Sequence, residues 1–368
     1  MKNKVCHLTS VHSENDVRIF GKECVTLQQN GFDVSFIVAG ASDKEVKGVK
    51  IYGSQKITNR FKRILFSGRP IFRKALEINA DLYHFHDSEL LPVGEKLRKK
   101  GKIVIYDSHE DLPRQILTKA WIPSCFRHLV SRMVEKVENC RTKKMSAIVA
   151  ATPHIQHRFE KIVSIPVIAI CNYPIINEIT QSFSWNDKEK SACYVGGLFK
   201  ERGVFEMVRS INQVAGRLKL AGAFSPESLQ ESVQMEEGWG KTDFMGYLNR
   251  QQINELFAQS MVGLLILHPM PSYKDSLPIK MFEYMAAGIP VVYSDFPLWR
   301  EIMEEAGCGV PVNPFDTHKI AAEITHLFEN PKLAQEMGTA GREAVVNKYN
   351  WDSQAKLLIE LYQKLLTN

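Results

Sequence analysis

The stretch YVGGLFKERGVFEMV, Tyr194 to Val208, decides the fold class. A short apolar run ends in a glycine pair, and the chain then takes up helical apolar spacing. A strand that leaves through a glycine loop into a helix is one step of a parallel sheet. Working outward, ACYVGGL, RLKLAGAF, DFMGYL, VGLLIL, IPVVYSD and GVPVNP read as strands, with helices expected over Val204–Val214, Arg250–Gln259 and Ile279–Ala287. The first half has the same rhythm. KVCHLTSV, DVSFIVAG, DLYHFHD, KIVIYDSH and AIVAATP alternate with helical segments such as Val17–Asn30 and Leu90–Lys100. The whole is α/β, with parallel sheets covered on both faces. At 368 residues the chain exceeds one ordinary core. NYPIINEITQSFSWNDKEKS, Asn172 to Ser191, interrupts the rhythm with Pro, Asn and Ser, so the domain junction is expected there. The expected division is 1–178, 179–348, and a closing segment 349–368 whose helix, Trp351–Leu366, packs back on the first domain.

Composition excludes several classes. Hydrophobic residues make up 44% and charged residues 24%, an ordinary globular balance. No apolar run approaches the roughly 20 residues of a membrane span. MKNKVCHLTSV reads as a first strand rather than a signal peptide. The seven cysteines are scattered with no CxxC pair, which fits reduced thiols in the cytoplasm and gives no zinc site. The net charge of +6 is unevenly spread, since Asn59 to Leu76 holds six Lys/Arg and no acid, interleaved with Phe, Ile and Leu. With Thr118–Glu138, also basic and apolar at helical spacing, it can form a face for an anionic membrane surface. A solvated helix face with its apolar side in the core is the competing reading. Nucleic acid is not an expected partner, because no RNP, zinc-finger or helix-turn-helix signal accompanies the charge.

Residues that carry chemistry cluster at strand ends and helix starts. Gly196 and Gly197 let backbone N–H groups approach an anion, at a helix entrance that adds partial positive charge. Arg202 is a fork-shaped donor beside them. In SLPIKMFEYMAAGIPVVYSD, Ser276 to Asp295, Lys280 and Glu283 stand three apart on a helix whose other members are apolar. A surface ion pair is the plain alternative. Phe282, Tyr284 and Met285 argue for burial, and buried charges need partners or ligands. An ammonium there suits a phosphate; a carboxylate one turn on suits the vicinal hydroxyls of a ribose. In the first half, His86 and Asp87 end one strand, while His109 and Glu110 end the next, so all four are candidates for the ligand end of the sheet. In HSENDVRIF, Asp16 caps the following helix and Arg18 is a further candidate. His84, His86 and His109 lack a fitting fourth ligand, and no aromatic-flanked DxD is present, so no metal site is expected.

On these motifs the chain resembles the retaining glycosyltransferases of family 4. YVGGLFKERGV resembles the family's glycine loop, and LPIKMFEYMAAGIPVV resembles a P-x-K-x-x-E-Y variant of its E-x7-E region. IVIYDSHE, LYHFHD and the closing YNWDSQAKLLIELYQKLL resemble its other elements, so the likeness covers essentially the whole chain. The resemblance implies a GT-B fold, two Rossmann-like domains whose parallel sheets face a central cleft, with acceptor on the first and nucleotide-sugar on the second. It implies Arg202 and Lys280 on the donor diphosphate, Glu283 on the ribose, and Gly196 and Gly197 as the phosphate loop. His109 would lie near the donor sugar, and Asp87 would orient or deprotonate the acceptor. Asp275 takes the place of the first carboxylate, with seven residues between it and Glu283. Gly197 stands where the family usually has Arg, Asp275 where it has Glu, and Pro278 lies five rather than three residues before Glu283. The resemblance further implies no cofactor or divalent ion, and a glycan or lipid-linked saccharide acceptor in surface polysaccharide assembly. The implied location is the cytoplasm, peripheral on the inner face of the plasma membrane. The rivals are another nucleotide-sugar enzyme, an epimerase or an inverting transferase, and a non-catalytic nucleotide-binding or membrane-docking protein.

Overall fold

The computed structural model describes residues 2–119, 121–179 and 185–367, with the backbone alone at 60 and 61. The chain forms two compact units, Met1–Asn172 with Asp352–Asn368, and Tyr173–Trp351. The first boundary falls six residues before the one expected from sequence, because the Tyr173 ring already packs on Phe282 and Tyr349, with centroids 4.7 and 5.5 Å away. Part of the interrupted segment, residues 180–184, lies outside the described residues, as does Ala120 within Thr118–Glu138.

In the first unit the described strands are β1 (Lys4–Thr9), β2 (Asp33–Ala39), β3 (Lys44–Val46), β4 (Val49–Ser54), β5 (Leu82–Phe85), β6 (Ile103–Ser108), β7 (Ala147–Ala150) and β8 (Val167–Ala169). They line up as β3-β4-β2-β1-β5-β6-β7-β8. β3 is antiparallel to β4 and the other neighbours are parallel. Side chains alternate between the two faces of a strand. Cys6, Leu8, Tyr83, Phe85, Val104 and Tyr106 therefore share one face and one apolar core. The residues between them, His7, His84, His86 and Asp107, turn to the other face and are nonetheless buried.

The segment read as one helix over Val17–Asn30 is two. Val17–Cys24 is a wide π-type turn, and Val25–Gln29 continues as α-helix. Asp16 starts it: its side chain accepts from the N–H groups of Arg18 and Ile19, and its carbonyl accepts from Phe20 and Gly21 at 3.0 and 3.1 Å. The wider winding buries Arg18, Lys22 and Glu23 against the polar face of the sheet. The closing helix, Trp351–Thr367, places Tyr362 Oη 2.8 Å from His84 Nδ1 and 3.1 Å from His7 Nε2.

The second unit is a parallel sheet of β9 (Glu189–Val195), β10 (Arg217–Ala221), β11 (Thr242–Gly246), β12 (Ser260–Leu265), β13 (Val291–Ser294) and β14 (Gly309–Val312), ordered β11-β10-β9-β12-β13-β14. Tyr194, Leu198, Val204, Met207, Leu220 and Val262 contribute to its core. The chain order switches direction between β9 and β12, the position where ligands bind an open α/β sheet. Among the described residues no helix is long and apolar enough to cross a membrane.

Candidate functional site

The site of the second unit begins at the end of β9. Gly196 leaves the strand and passes under β10, where Gly222 admits it: a Cβ on Gly222 would stand 1.8 Å from the Gly196 carbonyl oxygen. A single turn over Lys200–Arg202 follows, and Gly203, at φ +69°, starts helix Val204–Ile211. Gly203 packs so closely under β12 that a Cβ would stand 2.0 Å from the Ile266 carbonyl oxygen. Those two close approaches fix the loop and aim Arg202 back over it.

Lys280 arrives from helix Ile279–Ala286, whose Met281, Phe282, Tyr284, Met285 and Ala286 are buried. Its ammonium donates to Tyr194 Oη at 2.8 Å and lies 4.1 Å from the centre of that ring. A Cβ built on Gly196 would meet Lys280 Nζ at 2.8 Å, and one on Gly197 would meet Arg202 Nη1 at 3.2 Å. The glycine pair, Arg202 and Lys280 are thus brought together. Burial, with the Arg202 guanidinium adding to it, pulls the Lys280 ammonium down to about 7. Two cations that disfavour each other at one glycine loop, one held by a neutral phenol and the other 5.0 Å from the Phe199 ring, form a receptacle for a polyanion.

Glu283, 13% exposed, is held by Arg250 Nη1 at 2.8 Å, and Arg250 is 40% exposed. From sequence that arginine reads only as a helix start, and Tyr194 only as strand core. Asp275 is exposed at the end of the short helix Pro271–Lys274.

The residues expected at the strand ends of the first unit are arranged otherwise. Arg18 does not face a ligand. It is buried, with Nη2 3.1 Å from Asp107 Oδ1, Nε 3.1 Å from Glu23 Oε1 and Nη1 donating to the Ile170 carbonyl at 2.7 Å. The π-type winding turned it inward. Asp16 is the helix cap and is also 3.2 Å from His12 Nδ1. Asp87 Oδ2 is taken up by Thr9 Oγ1 at 2.8 Å, the Ser10 N–H at 2.6 Å and the Val11 N–H at 3.3 Å, while Oδ1 faces His12 Nε2 at 3.5 Å. Its carboxylate braces the turn after β1. His86 is buried between His7 and Asp107, with Nε2 2.9 Å from His7 Nδ1 and Nδ1 3.2 Å from Asp107 Oδ2. His109 is partly exposed, with Nε2 3.1 Å from Asp107 Oδ2 and the His12 ring 5.0 Å away. Glu110 is exposed. The sequence offered no His/carboxylate group of metal-ligand spacing, yet the fold assembles one from His7, Glu23, His84 and His86.

The two basic segments also take a definite form. The apolar residues of helix Ser124–Thr142 do not pack into the core: Phe126, Leu129, Met133 and Val137 are exposed, and its buried positions are Ser131, Glu138 and Thr142. Ile64, Leu65 and Phe66 are exposed on helix Arg60–Phe66.

Residues 175–344 match the family model described as glycosyl transferases group 1. An uncharacterized glycosyltransferase of Methanocaldococcus jannaschii is 26% identical over 188 residues, 50% of this chain and 47% of that protein. The chain therefore spans about half the length of the curated relatives it matches. The sucrose-phosphate synthase of Thermosynechococcus elongatus superposes over 100% of both chains with a TM-score of 0.82 at 16% identity. Anabaena Alr3699/HepE, solved in complex with UDP and glucose, covers 98% of this chain and 100% of its own with a TM-score of 0.73 at 14% identity. The fold is GT-B, built of two Rossmann-like units, and residues 175–344 carry the sequence pattern of the group 1 glycosyl transferases.

Proposed function

We propose that the protein is a retaining glycosyltransferase that moves a sugar from a nucleotide-sugar donor to a glycan or lipid-linked saccharide. The observation that carries this reading is the convergence of Arg202 and Lys280 on the Gly196–Gly197 loop. The bond from the sugar C1 to the donor diphosphate breaks, and the diphosphate leaves with the electron pair. A new bond forms between C1 and an acceptor hydroxyl, whose proton is released. The leaving diphosphate gains negative charge as this happens. Arg202, Lys280 and the Gly197 N–H are the donors proposed for that charge, the Gly196 N–H being given to the Ala221 carbonyl at 3.0 Å, and on this reading the diphosphate needs no divalent ion. Glu283 takes the ribose hydroxyls after parting from Arg250. Asp275 is the proposed second carboxylate, its exposure leaving it available to the sugar. In the first unit, His109 is assigned the hydrogen bond to the reacting sugar, and Asp87 acts by holding the turn that carries His12.

The acceptor side is supported by the outward apolar stripe of helix Ser124–Thr142. Arg132, Lys136 and Lys143 lie beside it on the same helix and just past its end. Apolar side chains flanked by lysine and arginine suit a surface of anionic lipid. That favours a lipid-linked acceptor at the inner face of the plasma membrane, in surface polysaccharide assembly. The charged double variant Leu129→Asp/Met133→Asp should release the protein from phosphatidylglycerol vesicles while donor binding stays intact. Equal binding of both proteins would remove the membrane from the reading.

The direct test is donor identity and stereochemistry. A thermal-shift screen over nucleoside diphosphate sugars should raise the Tm for one base by mass action. NMR of the product should then show the anomeric configuration of the donor preserved. An inverted product, epimerised free donor, or a flat response to every nucleotide would each replace this reading with one of its rivals.

A further inference from the structure

A sheet covered on both faces is expected to carry apolar residues on both. The first unit departs from this on one face only. In parallel register His7 sits beside His84, and His86 follows His84 at the period of two that keeps side chains on one face. The π-type turn lowers Glu23 onto them. His7, His84 and Glu23 are fully buried, and His86 is 3% exposed. A layer of this kind is expensive to bury unless every polar atom is satisfied. It is not satisfied: both Glu23 carboxylate oxygens and His84 Nε2 lack a hydrogen-bond partner. Arg18 Nε lies near Glu23 Oε1 as an ion pair only.

We propose that His7, His84, His86 and Glu23 form a closed site for one divalent transition metal, zinc by its donor chemistry. Glu23 Oε2 is 3.9 Å from His7 Nδ1, from His84 Nδ1 and from His86 Nε2, while His7 Nδ1 and His86 Nε2 are 2.9 Å apart. A tetrahedral zinc with bonds of about 2.0–2.1 Å separates its ligand atoms by roughly 3.3 Å, between those two values. Three imidazoles and one carboxylate are a zinc set, and the absence of an open side makes the site structural rather than catalytic. The outer atoms of the ligands are also arranged for it. His86 Nδ1–H points at Asp107 Oδ2, 3.2 Å away, and Asp107 is in turn fixed by Arg18. His7 Nε2 meets Tyr362 Oη at 3.1 Å; His84 Nδ1, now 2.8 Å from the same hydroxyl, turns to the metal, while the orphaned His84 Nε2 faces Asp107 Oδ2 at 3.9 Å as its outer partner. Such outer hydrogen bonds orient metal-bound histidines. The metal ties β1, β5 and the turn after β1 to one point, and Tyr362 adds the closing helix to it.

The rival occupant of the same space is a proton on Glu23. The two are separated by elemental analysis of the whole protein, expressed in zinc-supplemented medium and dialysed without chelator. The site predicts about one zinc per chain, and cobalt-grown protein should show the visible absorption of tetrahedral Co(II). Tyr362→Phe keeps the ring and removes the outer partner, so zinc should be lost to a competing chelator at roughly tenfold lower chelator concentration. Glu23→Gln should bind no zinc and melt several degrees lower. Wild-type protein without zinc, a Glu23→Gln variant that melts like wild type, or zinc retained equally by that variant would each overturn the site. These readouts need no sugar transfer, so they stand or fall apart from the proposed activity.

Discussion

Both units bury charge, and they do so in opposite ways. In the first, Arg18 is matched by Asp107, with Glu23 beside them pushed toward its neutral form by burial and by Asp107, and the group is closed under a helix turn. In the second, Lys280 and Arg202 share a glycine loop, Tyr194 is the hydrogen-bond partner of Lys280, and the Glu283 carboxylate on the same helix is engaged by Arg250. Balanced charge in a closed layer holds secondary structure in place. Like charge at the switch point of a sheet raises the free energy of the ligand-free state and is relieved by an anion.

The strongest way to break this contrast is to remove the cations. Each of Arg202→Ala and Lys280→Ala should lower kcat/KM for the donor by roughly a hundredfold to a thousandfold, as loss of a preorganised donor to developing charge does. Neither should lower the Tm, because both relieve repulsion. If the double variant keeps activity within tenfold of wild type, the diphosphate lies elsewhere. Glu283→Gln should act mainly on donor affinity, by roughly tenfold to a hundredfold, the worth of hydrogen bonds to a charged group. Calorimetry with the matching nucleoside diphosphate reads it directly, and an effect confined to kcat would take Glu283 off the ribose.

A pH titration sharpens the same point. Without ligand, burial and Arg202 hold Lys280 at about 7, and a bound diphosphate favours its protonated form. Affinity should therefore be full below that value and fall by up to about tenfold per pH unit above it, until the pKa of the bound state is reached. The stability sign is opposite to that of an ordinary salt bridge. Between about 7 and the usual 10.5 the unfolded chain binds more protons than the folded one, so stability rises with pH across that window. Lys280→Met should abolish both slopes, measured by calorimetry and by denaturant unfolding; a pH-independent affinity in wild type would place Lys280 away from the phosphates.

The contrast also explains what the sequence could show. The second-unit site is written locally. A glycine pair, an arginine eight residues after the strand residue Tyr194, and a Lys and Glu on one apolar helix can each be read in a window of a few turns. The polar layer of the first unit joins residues 7, 23, 84, 86, 107 and 362, and only the parallel register of β1 with β5 makes neighbours of His7 and His84. Its one local signal is His84-Phe85-His86, where period two puts both histidines on one face. Arg18 and Glu23 were hidden by winding: read as α-helix, they do not share the face that a π-type turn gives them. The exposed stripe of helix Ser124–Thr142 was ambiguous for another reason. Helical spacing reveals an apolar face and says nothing of what covers it.

The smallest expected effect is also the most informative about Glu283. Arg250 is 40% exposed, and a solvent-exposed ion pair contributes about 0.2–1 kcal/mol. A ribose that takes Glu283 must first displace it. Arg250→Ala should therefore tighten nucleoside diphosphate binding by up to about fivefold, the exponential of that energy. The change should vanish in a Glu283→Gln background, where there is no carboxylate left to release. If Arg250→Ala instead weakens binding, the guanidinium is itself a ligand group. Arg250 would then join Arg202 and Lys280 as a third cation on the diphosphate, and the second unit would carry still more charge for its ligand to balance.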